Sequence, residues 1–163
     1  MKLPRSSACS SGFSLIELLA AAAILGILAT VAVPVIETTV RREREQQLRR
    51  ALRDIREAID GYKRAADAGR IEITPGESGY PHTLAELVDG VSDKEHPGGP
   101  RLRFIRRIPR DPMMPDASLS AIDSWGKRSF QSPPDAPEEG EDVFDVHSTS
   151  RRNGLNGVPY AEW

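Results

Sequence analysis

Hydrophobic and polar positions divide this chain into three unequal stretches. From Leu18 to Ile36 there are 19 successive residues without a charged side chain, mostly Leu, Ala, Ile and Val. A helix rises about 1.5 Å per residue and a bilayer core is about 30 Å thick, so a run of this length is just enough to span it. From Glu37 to about Ala68 the apolar positions thin out. Leu48, Leu52, Ile55, Ile59, Tyr62 and Ala66 recur at spacings of 4, 3, 4, 3 and 4, with Arg and Glu between them. That spacing predicts a helix with one apolar stripe. No Gly or Pro falls between Val35 and Asp60. The simplest expectation is a single helix over 13–68, membrane-spanning over 13–36 and amphipathic over 37–68. Pro34 should kink it, because proline removes a backbone donor and crowds the preceding turn. Two separate helices broken at Pro34 are the alternative.

Beyond Gly69, which should stop the helix, the pattern becomes short and irregular. Gly79-Tyr80-Pro81-His82 reads as a turn, followed by a short helix that Thr83 would cap and Glu86 would close as a capping box. Residues 94–100 read as a loop. Arg101 to Ile108, with Leu102, Phe104 and Ile108, is a strand candidate. Residues 109–124 hold Pro109, Pro112 and Pro115 and should be irregular. Residues 125–131 and 142–147 are further strand candidates, with Phe130, Val143, Phe144 and Val146 able to face the stripe. The expected fold class is α+β, a long N-terminal helix packed on a small antiparallel sheet of about three strands with irregular loops. Residues 69–163 would form the head.

Composition narrows the function. A chain of 163 residues has room for a small domain plus a membrane segment. Eleven of its 13 prolines lie between Pro75 and Pro159, which keeps the elements there short. A net charge of −2 gives no nucleic-acid signature. The single cysteine, Cys9, precedes the apolar run, the wrong order for lipidation; without the residues ahead of the run the chain could form no disulfide. His82, His96 and His147 are widely spaced and no glycine loop could cradle a phosphate, so no enzyme activity is expected. Asp111, Asp116 and Asp123 read as turn residues. Arg41-Arg42-Glu43-Arg44-Glu45 reads as a solvated collar able to touch lipid phosphates.

Residues 1–12 carry Lys2, Arg5, several serines and a terminal Gly12. A secretory signal places its small-residue cleavage site after the apolar region; here the glycine comes before it. Gly12-Phe13-Ser14-Leu15-Ile16-Glu17 with the apolar run resembles type IV pilins and type II secretion pseudopilins. The head carries further landmarks: Gly79-Tyr80-Pro81, Ile108-Pro109-Arg110-Asp111-Pro112, Asp123-Ser124-Trp125-Gly126, Phe144-Asp145-Val146-His147-Ser148 and the closing Leu155 to Trp163. These resemble the major pseudopilins of type II secretion.

The resemblance implies a type IV pilin-like fold and a set of expectations. A prepilin peptidase would cut between Gly12 and Phe13, remove the leader and methylate Phe13. The mature chain would be a single-pass inner-membrane protein with a periplasmic head. It would form a homopolymer, the pseudopilus, with minor pseudopilins, an inner-membrane platform, a separate ATPase and the lipid bilayer as partners. Glu17 would meet the amine of Phe13 on a neighbouring subunit. A carboxylate this far into an apolar helix costs a few kcal/mol; snorkelling to headgroups is the alternative. Basic residues after Ile36 outnumber Lys2 and Arg5, a bias that would turn the N-terminus outward, whereas the cleavage motif requires it inside. The motif, as the specific signal, decides.

Many major pseudopilins bind calcium through aspartates in the loop after the Asp145-Val146 strand. Calcium takes about six to eight oxygens, largely carboxylate. Here the loop is Ser148 to Gly154, with Arg151 and Arg152 in place of acids, so no metal or other cofactor is expected. Arg151 or Arg152 would instead pair with Asp145 or Glu162. Two other readings remain: a type IV pilus subunit, or a signal-anchored extracytoplasmic binding protein.

Overall fold

The computed structural model describes residues 14–163 except 115 and 117, and the side chains among them except those of residues 29–36. Helix α1 runs from Leu15 to Asp67, within two residues of the predicted bounds at either end. It opens at Ser14, whose carbonyl accepts from Glu17 N (3.0 Å) and Leu18 N (3.2 Å). It closes at Gly69, which takes φ +74°, the left-handed conformation that glycine adopts without a Cβ clash. There Arg70 N donates to Ala65 O (3.0 Å) and Gly69 N to Ala66 O (2.9 Å), the paired bonds that satisfy a helix's last carbonyls. Helix α1 continues through Pro34; the expected kink falls among residues 29–36, outside the described side chains.

Two compact units divide the chain, one up to Arg41 and one from Arg42 to Trp163. The second contains the core. All six residues of the predicted stripe are buried there, Leu48 and Ile55 completely. They pack with Leu84 and Leu87 of α2 (Leu84–Asp89), and with Ile108, Met113, Trp125, Val143, Val146 and Tyr160. Full burial of one such aliphatic side chain contributes about 1.5–3 kcal/mol, which is why the stripe dominates this unit.

The sheet has two strands among the described residues, not three. Strand β1 (Trp125–Arg128) pairs antiparallel with β2 (Asp145–Ser148), Trp125 opposite Ser148 and Arg128 opposite Asp145. Both are shorter than predicted. Ser129 N turns aside to Glu138 O (3.0 Å) and Val143 N is taken by Pro81 O (2.8 Å). The predicted strand over 101–108 does not form. Leu102 makes one isolated bridge with Val91. Phe104 N and Ile105 N then both donate to Leu87 O, at 3.0 and 3.2 Å. A carbonyl near the end of α2 has no partner within its own helix, and by capturing two successive amides it bends the segment out of strand geometry.

Two finer expectations also fail. Thr83 flanks α2 but its side chain makes no capping bond to the backbone. Glu86 reaches His82 N (3.3 Å) and the Thr83 hydroxyl (3.4 Å) instead of closing a box. Of the four apolar residues assigned to the stripe-facing side, Val143 and Val146 are buried in the core. Phe130 is 55% exposed and clusters with Phe144 and Tyr80, ring centroids 5.0–5.6 Å apart. A 3-10 turn, Tyr160–Glu162, completes the described elements.

Candidate functional site

In the first unit the residue of interest is Glu17. It lies in the first turn of α1, where the unsatisfied amide ends of a helix favour a negative charge. It is exposed, and the large apolar residues around it are exposed too, Leu15 and Ile16 at 75% and Leu18 and Leu19 at 57% and 62%. A contiguous apolar surface of this kind needs a cover of lipid or of other helices. A carboxylate within it would require a cation or hydrogen-bond donors from that cover. Gly12 and Phe13 lie outside the described residues. Among the described residues no helix is long and apolar enough to cross a membrane; the second half of the apolar run, residues 29–36, falls outside the described side chains.

In the second unit, polar residues beside the stripe hold the C-terminal segment against α1. Glu45, which the sequence places in a solvated collar, is only 8% exposed. It accepts hydrogen bonds from Leu155 N (2.8 Å) and the Tyr160 hydroxyl (2.9 Å). The Arg49 guanidinium sits 4.4 Å from the centre of a Trp163 ring. Arg56 donates to Asp145 Oδ1 (2.7 Å), Val146 O (3.2 Å) and Trp163 O (2.8 Å). The expected partnership of Arg151 or Arg152 with Asp145 is therefore replaced. Asp145 is taken by Arg56 and faces Arg128 at 3.6 Å, because both rise beside it from the packed elements. Arg152 points its guanidinium at Met113 Sδ (3.9 Å).

The loop after β2 is fixed from beneath. Asp111, read from the sequence as a turn residue, is 1% exposed and accepts from the Ser148 hydroxyl (2.6 Å) and Met113 N (2.7 Å). Burial pushes its carboxyl above the usual carboxylate range, against the pull of those two bonds and of Arg152. Asp116 and Asp123 are turn residues as expected, each accepting bonds from a nearby serine. The Asp111 and Glu45 carboxylates beside this loop are each already engaged by two donors, and Arg151 and Arg152 stand in it. That set does not fit a calcium ion, which draws largely on carboxylates.

One acidic cluster was not legible as such in the sequence. Asp93, Glu95 and His96 bring their ligand atoms within 4.8 Å of one another. Arg70 already supplies the positive charge, with Nη2 at 2.5 Å from Asp93 Oδ2 and Nε at 3.2 Å from Glu95. The hydrogen bond from Arg70 is the main reason that the Asp93 carboxyl falls to about 2. His82 is raised above its ordinary value, chiefly by its bond to Glu141 O, and His147 is lowered by burial.

Comparison with known proteins places these observations. The family model for the prokaryotic N-terminal methylation motif matches residues 8–33. Type II secretion system core protein G of Klebsiella pneumoniae is 31% identical over 135 residues, covering 81% of this chain and 91% of that protein. Type II secretion system core protein G of Dickeya chrysanthemi is 29% identical over 151 residues, covering 90% and 94%. No solved structure gives a significant match.

Proposed function

The chain belongs to the type II secretion system core protein G family, the major pseudopilins, and from that premise we propose that it is the polymerising subunit of a secretion pseudopilus. The observation that carries this reading is the likeness over 91% of a curated relative, joined to a methylation motif whose matched residues include Gly12, Phe13 and Glu17. Prepilin peptidase cuts between Gly12 and Phe13, leaving a methylated N-terminus. The helix from Phe13 to Ile36 anchors the chain in the inner membrane with its head in the periplasm. Subunits leave the bilayer as their apolar helices pack together, which replaces lipid contacts by helix contacts. Glu17 meets the Phe13 amine of a neighbour, and Pro34 bends the helix to suit the packing. Minor pseudopilins, the inner-membrane platform and a separate ATPase complete the machine; the subunit itself is structural and does no catalysis.

Glu17→Val tests the pairing. The substitution removes the cost of placing a carboxylate in the bilayer, so the chain should still insert and still be processed to a methylated Phe13, read by mass spectrometry. It loses a charge-assisted hydrogen bond worth about 1.5–3 kcal/mol at every joint, so sheared filaments and secretion should fall sharply while the mature monomer persists. Normal filaments from Glu17→Val would refute the pairing. An intact leader in cells with active prepilin peptidase would refute the assignment.

A further inference from the structure

Between α1 and residues 103–109 lies an open groove of about 870 Å³, lined by Arg64, Arg103, Arg106 and Arg107 with Asp54 and Glu57 among them. Four arginines thus stand around the groove, and Arg101 comes two residues before the first of the three on its outer segment. Residues 101, 103, 106 and 107 are all exposed, and among the described residues none of these four makes an ion pair or a side-chain hydrogen bond. Other arginines of this unit do: Arg56, Arg70 and Arg128 each have a carboxylate. The segment is nevertheless well held. Phe104 N and Ile105 N are bonded to Leu87 O, and the Phe104 ring lies 5.4 Å from that of Tyr62 and directly against Gly61. Backbone and apolar side chains anchor the segment, while its guanidiniums are left for something outside the chain.

The complement is present on the same chain. From Asp135 to Asp142 there are five acids, Asp135, Glu138, Glu139, Glu141 and Asp142, and no basic residue. All but Asp142 are exposed. Asp142 is used internally by Ser78 and by Phe130 N, and Glu139 faces Lys127 at 3.5 Å. Asp135, Glu138 and Glu141 have no cationic partner among the described residues. This segment is also ordered, through Ser129 N to Glu138 O and through Ser132, which donates to Ala136 O and accepts from Glu138 N.

The two patches sit on different flanks of α1. Positions 54, 57 and 61 face the groove, whereas Arg56 bonds β2 and Lys63 lies over Tyr80, in the aromatic cluster beside the acidic segment. At 100° per residue, 56 and 63 fall about 100–180° from 54, 57 and 61, with the apolar stripe on the arc between 54 and 63. A basic face and an acidic face that cannot meet within one chain can meet between chains. Such a contact is heterologous, and repeated it builds an open fibre. The carboxylates of Asp54 and Glu57 within the groove would repel a lipid phosphate layer, and they offer a place for the neighbour's Lys127.

We propose that the arginine groove receives the acidic 135–142 segment of a second copy of this chain, a heterologous contact between head domains that rests on the polymer reading above. It adds to that reading a surface independent of Phe13 and Glu17.

The test uses full-length chains with Cys9→Ser in a host containing the prepilin peptidase and the rest of the secretion machine. Chains with Arg103→Cys and with Glu138→Cys are produced together and the membranes are oxidised. A mixed disulfide dimer, absent when either chain is produced alone, is the expected result. Adding Arg106→Glu to the first chain or Glu141→Arg to the second should lower that dimer about tenfold, and adding both should restore it, since reversing both signs returns the attraction. A cysteine-free Arg106→Glu/Glu141→Arg chain should likewise recover filaments that each single reversal loses. If the unsubstituted chain yields sheared filaments but no mixed dimer appears, the contact is overturned and the polymer reading stands. It is equally overturned if Arg106→Glu acts and Glu141→Arg does not, which would point to a different acidic partner. Failure of the unsubstituted chain to form any filament overturns both.

Discussion

Glu45→Ala should loosen the C-terminal segment without disturbing α1. Alanine is at least as good a helix former as glutamate, so the helix itself loses nothing. Two hydrogen bonds to one carboxylate disappear, from Leu155 N and from the Tyr160 hydroxyl. Their consequences differ. Leu155 is exposed, and its amide can turn to water. Tyr160 is 1% exposed, so water cannot take the place of the lost acceptor, at a cost of about 1–3 kcal/mol. With the lost charge-assisted bond to Leu155 the total is about 3 kcal/mol, a fall in melting midpoint of about 10 °C for a unit of this size. Glu45→Gln keeps an acceptor in place and should lose about 1 kcal/mol. Thermal unfolding of the full-length protein in detergent, followed by circular dichroism, gives the magnitude. Hydrogen exchange gives the location, with amides of 152–163 accelerated more than those of 84–89. A loss below about 1 kcal/mol for Glu45→Ala, or an even acceleration throughout, would refute the assignment of Glu45 as the clasp.

Asp111→Asn should change the pH dependence of stability. A carboxyl raised by burial favours the fold fully only below its unfolded value near 4 and loses that contribution as pH rises through the higher folded value; the variant should therefore gain on the wild type across that rise, and denaturant midpoints that move in parallel at all pH would contradict the burial argument. Gly126→Ala should displace His147, because the new Cβ would lie 2.3 Å from Nε2 of its cross-strand neighbour. The imidazole would swing into water, and its titration, followed by NMR, should rise toward the ordinary histidine value from its lowered position; an unchanged titration would mean that the ring does not need the space over glycine.

The long helix was legible because it repeats. Six buried stripe positions announce themselves by spacing alone, and the stop at Gly69 follows from capping chemistry that local sequence encodes. In the head the short helix after Thr83 and two of the three strands were legible, though with longer bounds than they have, and so were the turn aspartates Asp116 and Asp123. The segment from Arg101 to Ile108 misled because alternation of Leu102, Phe104 and Ile108 describes half-burial, which a bent loop achieves as well as a strand. What bent it was the carbonyl of Leu87, a partner 17 residues before Phe104, and no periodicity contains that information. Asp111 was misread for a related reason: three prolines around an aspartate imply a turn, and the turn is there, but burial depends on Ser148 arriving from 37 residues away.

The same reasoning explains how so small a sheet can persist. Two strands of four residues are marginal by themselves, and they hold here because α1 reaches around the stripe with polar side chains. Arg56 joins β2 and the last residue through one guanidinium. Arg49 and Glu45, about two and three turns earlier, hold Trp163 and Tyr160. Positions 45, 49 and 56 lie along one flank, so a single edge of the helix organises everything from Asp145 onward. In a sequence those residues look like the solvated face of an amphipathic helix, since charge and spacing suit both roles. The difference lies in burial: a carboxylate 8% exposed must be satisfied by the protein and not by water. The C-terminal segment is therefore held by α1's polar flank while the core is held by its apolar stripe, and the unpaired arginines on the other flank remain available to a neighbour.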